Sequence, residues 1–176
     1  MGATYTVQDM RARVGSVLGV SAWLQVEQPM IDEFAQSTKD LDRLHVNPAW
    51  AARETPYGGT IAFGFWTLSM LTHFSHEVGM WPVDVAYALN YGLDRVRWIH
   101  PVKVGARIRM HCTLAELADR DDGRLLIRTS NFIEIEGESR PALTAEWLGL
   151  FILDDAGSGG ASVPNGRRAP EPSADP

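Results

Sequence analysis

A single cysteine, Cys112, occurs in the 176 residues of this chain. It can form no internal disulfide and no cysteine-rich zinc site, and such a composition suits a reducing compartment. A basic surplus is missing as well: 16 Lys and Arg stand against 22 Asp and Glu, a net charge of -6. Nucleic-acid binders normally carry a basic face, so no nucleic-acid partner is expected. Long apolar runs are also absent. Crossing a bilayer takes about eighteen consecutive apolar residues. The greasiest stretch, Ile61 to Val78, is interrupted by Thr67, Ser69, Thr72, His73, Ser75, His76 and Glu77. The N-terminus shows no apolar signal-peptide core. The expectation is one soluble, cytoplasmic domain with no membrane span, long enough to bury a core.

Hydrophobic periodicity divides the chain in two. Val7 to Leu18 reads as a short amphipathic helix weakened by Gly15, and Trp23 to Glu27 as a short strand. Pro29 can open a second helix with Met30, Ile31, Phe34 and Ala35 on its buried stripe. A polar loop follows to Pro48, where another small helix starts. The spacing then predicts a helix from about Ile61 to Val78, roughly 27 Å long at 1.5 Å per residue. It is apolar nearly all round in its first half, as a buried helix is. Beyond it lie four strands: Val83 to Trp98, Ala106 to Leu117, Leu125 to Glu136 and Ala142 to Leu153. The second alternates clearly, with Ile108, Met110, Cys112 and Leu114 on one face. Strands in series with a segregated helix indicate α+β, an antiparallel sheet wrapped around one long buried helix. Residues 1–153 form this domain. Residues 154–176, rich in Gly, Ser, Pro and Ala, read as a disordered tail.

Two features carry chemistry. Asp40 and His45 stand five apart in a polar segment, where a carboxylate and an imidazole can share one water. The plainer reading, Asp40 capping a turn beside a solvated His45, stays open on spacing alone. Gly58-Gly59-Thr60 and then Gly64 precede the apolar helix, and bare backbone N–H groups at a helix N-terminus suit an oxyanion. A glycine turn needed only for packing reads the same way. His73, His76 and Glu77 do not match the zinc spacing His-Glu-x-x-His, and no metal is expected. Arg95, Arg97, Lys103, Arg107 and Arg109 read as a solvated sheet face, with the phosphates of a ligand as the other possibility.

Asp40-Leu-Asp-Arg-Leu-His45-Val-Asn-Pro48, followed by Tyr57-Gly-Gly-Thr-Ile-Ala-Phe-Gly64, resembles the MaoC-like, NodN-like dehydratases. These are relatives of the (R)-specific enoyl-CoA hydratases, with a hot-dog fold. The resemblance runs on through Leu89 to Arg97 and Pro101-Val102 to Gly105, covering residues 20 to 153. It implies that Asp40 and His45 are the acid/base pair for reversible addition of water to a trans-2-enoyl thioester. It also implies that the Gly64 N–H is the oxyanion donor. Thr72 falls where some relatives carry a site serine, and Phe63 and Gly59 are further pocket candidates. The implied partner is an acyl-CoA or acyl-carrier thioester, with CoA entering as part of the substrate and no separate cofactor. Such enzymes dimerise, here a homodimer, with CoA along the subunit boundary. The chain departs from the pattern at Lys39 (usually Gly), Asp42 (usually Asn or Gln) and Phe63 (usually His). A hot-dog thioesterase and a non-catalytic thioester-binding or partner subunit are the alternatives.

Overall fold

The computed structural model describes residues 4–120 and 123–153. The proposed tail, residues 154–176, lies outside them. Short helices come first: α1 (Val7–Arg11), α2 (Gln28–Thr38), α3 (Arg43–Val46) and α4 (Pro48–Glu54), with strands β1 (Val17–Val20) and β2 (Leu24–Gln25) between α1 and α2. Helix α5 (Gly64–Ser75) follows, then β3 (Val85–Trp98), β4 (Arg107–Asp119), β5 (Arg124–Ile135) and β6 (Leu143–Leu153). One antiparallel sheet runs in the order β1-β4-β5-β6-β3, with β2 also paired to β4. The inward residues of β4 are the alternating set Ile108, Met110, Cys112 and Leu114, all fully buried. They pack in one core with Trp66, Leu71 and Phe74 of α5 and with Ile127, Ile133, Trp147 and Phe151 of the neighbouring strands.

Four expectations change. The helix expected over Val7 to Leu18 ends at Arg11, because Gly15 takes φ 85° and the chain then turns into β1. Gly19 in β1 passes so close to Val78 that a Cβ there would stand 3.1 Å from its backbone. The central helix is shorter than Ile61 to Val78. Ala62 N–H donates to Val102 C=O at 2.8 Å and Ile61 bridges Lys103, so these residues are extended. Helix α5 begins only at Gly64, and its 12 residues span about 18 Å. It is not covered all round either: Phe65 is 68% exposed, and Ser69, Thr72 and His73 also face outward. Finally, the polar loop is mostly helical, since α2 runs to Thr38 and His45 lies within α3.

Candidate active site

Helix α3 owes its start to Asp42, whose Oδ1 accepts from the Leu44 N–H at 2.8 Å. This cap satisfies one of the free N–H groups of the first turn and fixes where His45 projects. The His45 Nδ1 lies 2.7 Å from the Ile61 carbonyl oxygen. A carbonyl only accepts, so Nδ1 carries the proton and Nε2 keeps its lone pair free. The ring packs on Phe63, centroids 3.8 Å apart at 31°, and Phe63 in turn lies 5.3 Å from Phe34. Gln28 ties the supporting segments together. Its Nε2 donates to the His45 carbonyl at 2.8 Å, and its Oε1 accepts from Thr60 Oγ1 at 2.5 Å.

His45 and Gly64 share a cavity of about 270 Å³, walled also by Thr67, Trp98, His100 and Val102. Gly64 is the first residue of α5, and Phe63 before it offers no side-chain cap. The N–H groups of that first turn have no partner within the helix, and the positive end of the helix dipole adds to them. The imidazole of His45 and Gly64, the residue that opens α5, therefore line one space. That combination can deprotonate water while holding an oxyanion.

The other candidates fall differently. Asp40 is exposed, accepts from the Asp42 N–H at 3.3 Å, makes no hydrogen bond to His45 and does not line the cavity. Phe63 is buried under His45 and not part of the cavity wall. Gly59 lies in the turn before α5, where Gly58 takes the left-handed backbone at φ 74°. Thr72 donates to the Ser69 carbonyl at 2.7 Å and lines a separate groove of about 340 Å³. There Leu68 and Leu71 of α5 face Tyr91 and Leu93 of β3 over Trp147. Among the described residues no group of three or more His, Cys, Asp or Glu is placed to hold a metal ion. His73 instead pairs with Glu77 at 3.6 Å. The basic cluster is largely paired across strands: Arg95 with Glu146, Arg107 with Glu136 and Arg109 with Glu134.

Trp98, Gln28 and the Ile61 carbonyl were not singled out from sequence, and His100, read there as a structural or solvent-facing residue, stands on the cavity wall. Each meets its partners at long sequence separation, and only the folded chain brings them together. For Trp98 a faint signal existed, an aromatic at the end of a strand just before the Pro101-Val102 element.

A family model described as a MaoC like domain matches residues 9–134. The chain belongs to the MaoC-like dehydratase family. It is 44% identical over 150 residues to nodulation protein N of Rhizobium leguminosarum bv. viciae, covering 85% of this chain and 92% of that protein. It is 39% identical over 148 residues to 3-hydroxyacyl-thioester dehydratase Z of Mycobacterium tuberculosis, covering 84% and 96%. The fold matches that of the (R)-hydratase from A. caviae with a TM-score of 0.63 at 20% identity, over 80% of this chain and 96% of that one. This MaoC-like chain is accordingly a hot-dog protein, its antiparallel sheet folded around α5. No helix among its described residues is long and apolar enough to cross a membrane.

Proposed function

We propose that this MaoC-like protein is an acyl-thioester hydratase/dehydratase, adding water reversibly to a trans-2-enoyl thioester carried on CoA or an acyl carrier. One observation carries the reading: His45 Nε2 is left free by the bond at Nδ1 in the cavity that holds the N-terminus of α5. In the hydration direction Nε2 takes a proton from water while the water oxygen bonds to Cβ of the enoyl group. The alkene electrons move to Cα and the thioester oxygen gains negative charge. The Gly64 N–H holds that charge, and a proton returned to Cα completes the addition. Asp40, in the turn before α3, is the second member of the pair and orients the shared water, while the proton that His45 takes up is the one returned to Cα. The apolar groove by Leu68, Leu71 and Leu93 is the seat for an acyl tail. CoA enters as substrate, and no separate cofactor takes part. The protein works as a homodimer in the cytoplasm. The relative named for 3-hydroxyacyl-thioester dehydration supports the reaction class.

The test mixes purified protein with crotonyl-CoA and a longer trans-2-enoyl-CoA and follows loss of the enoyl-thioester absorbance. A thiol reagent in a parallel well reports hydrolysis. Cys112 does not interfere, because burial pushes its thiol pKa up to about 12. Absorbance loss without thiol release is expected. His45→Gln and Asp40→Asn are each expected to lower the rate at least about a hundredfold in folded protein. Normal hydration by folded His45→Gln overturns the mechanism. Thiol release identifies a thioesterase, and neither signal points to a thioester-binding partner subunit.

A further inference from the structure

We infer that Trp98 is a positioning residue for the oxyanion donors, clamping the first turn of α5 in place of a helix cap. The kinetic part of this inference rests on the hydratase reading; the structural part does not. The turn needs such a clamp. Phe63 at the N-cap supplies no side-chain hydrogen bond, and the first helical residue is glycine, the residue with the most backbone freedom to lose. A helix end of this kind frays, and frayed N–H groups cannot hold a developing charge in one direction.

Trp98 opposes the fraying from the sheet. Its Nε1–H donates to the Gly64 carbonyl at 2.7 Å. The indole lies so close to Gly64 that a Cβ there would stand 2.8 Å from Nε1, 3.0 Å from Cδ1 and 3.2 Å from Cε2. Only glycine therefore fits beneath the ring. The edge of the next helical side chain, Phe65, meets the same indole at 5.4 Å. Trp98 is the last residue of β3 and is paired with Leu143 of β6, so the ring is held by the sheet. Trp98 also walls the cavity that holds His45.

The bond has an electronic consequence too. The Gly64 carbonyl and the Phe65 N–H belong to one peptide unit. A donor on the oxygen polarises that unit and strengthens its N–H as a donor. Trp98 thus fixes the Gly64–Phe65 peptide unit directly and sharpens the Phe65 N–H, and it steadies the Gly64 N–H, one unit back, by holding the residue under the ring.

The deciding variant is Trp98→Phe in the full chain, which keeps an aromatic ring at the end of β3 and removes the N–H together with part of the indole. Two readouts apply. The {1H}-15N nuclear Overhauser effect at the Gly64 and Phe65 amides is expected to fall while the rest of the helix keeps its values. In enoyl-CoA hydration, kcat is expected to fall about ten- to a hundredfold with KM within about twofold. The midpoints of the pH profile should stay in place, because the His45–Ile61 bond is untouched. Unchanged amide order with unchanged kcat overturns the inference. A fall in kcat with unchanged amide order also overturns it, since Trp98 then acts by touching substrate. Should the wild-type chain hydrate nothing, the hydratase reading fails, and the amide measurement alone decides the clamp.

Discussion

Lys39 ends α2 with φ 63° and ψ 19°, in the left-handed region. For a residue with a Cβ that conformation costs about 1 kcal/mol or more. Glycine reaches it freely, which gives a physical reason for the glycine that the family resemblance implies before the aspartate. Lys39 is exposed and makes no ion pair among the described residues, so no contact described there offsets the strain. Lys39→Gly is expected to raise stability by about 1 kcal/mol and Tm by about 3 °C for a chain of this size. Thermal melts at matched pH measure it, and a lower Tm would show that the side chain contributes more than the backbone loses. The same turn sets the spacing between Asp40 and His45. That spacing was legible in the sequence because it is local. The partner that fixes the His45 tautomer was not, since the Ile61 carbonyl lies sixteen positions away. Phe63 also gains its meaning only in the fold, where it forms an apolar wall for the His45 ring.

Elements read well where one periodicity acts alone. The inner and outer faces of β4 follow directly from alternation, and β5 and β6 begin and end within a residue or two of expectation. Reading fails where tertiary pairing recruits residues of the wrong pattern. The first half of β1, Val17 and Leu18, falls at the end of a stretch with helical spacing, and it is a strand because β4 offers it backbone partners at His111 to Thr113. Ile61 and Ala62 continue the apolar pattern of α5 but are held extended by Lys103 and Val102. The outer face of β4 and β5 carries its own prediction. Glu134 accepts from Arg109 Nε at 2.7 Å and lies 2.6 Å from His111 Nε2. The Arg109 hydrogen bond, helped by His111, holds the Glu134 carboxyl below its ordinary value of 4.5. A depressed carboxylate stabilises the fold above the unfolded value and loses that contribution as pH falls through the folded one. With Glu134 partly exposed, the effect is at most about 1 kcal/mol. Glu134→Gln should therefore melt lower than wild type at pH 7, and the gap should close below pH 4.5. A gap that persists at low pH would assign the loss to packing rather than to the charge.

At the scale of the whole molecule, the sheet ends on a strand that is not finished. β3 lies last in the order, pairs only with β6, and is 14 residues long. Its exposed side chains include Tyr87, Leu89, Tyr91, Leu93 and Trp98, between 44% and 57% accessible. Beside them stands Phe65, the uncovered face of α5. A long apolar edge with free backbone groups is a template for another chain, and natural edges are normally blunted by charge or proline. In the homodimer proposed above, a second copy presenting the same edge by two-fold symmetry would cover it with the same residues. Such a copy would also close the open side of the groove beside Leu93 and shield the indole of Trp98, which is 47% exposed in the single chain. The expected mass in solution is therefore twice 19.5 kDa. Tyr87→Lys combined with Leu89→Lys puts two positive charges on this exposed edge of each copy, away from the cavity that holds His45. This variant should run as a single chain by light scattering and lose enoyl-thioester hydration with it, because the groove and the Trp98 clamp are then open to solvent. A wild-type chain of single mass overturns the dimer. A monomeric variant that keeps full activity would show instead that each chain holds a complete site, leaving the second copy to protect the edge alone.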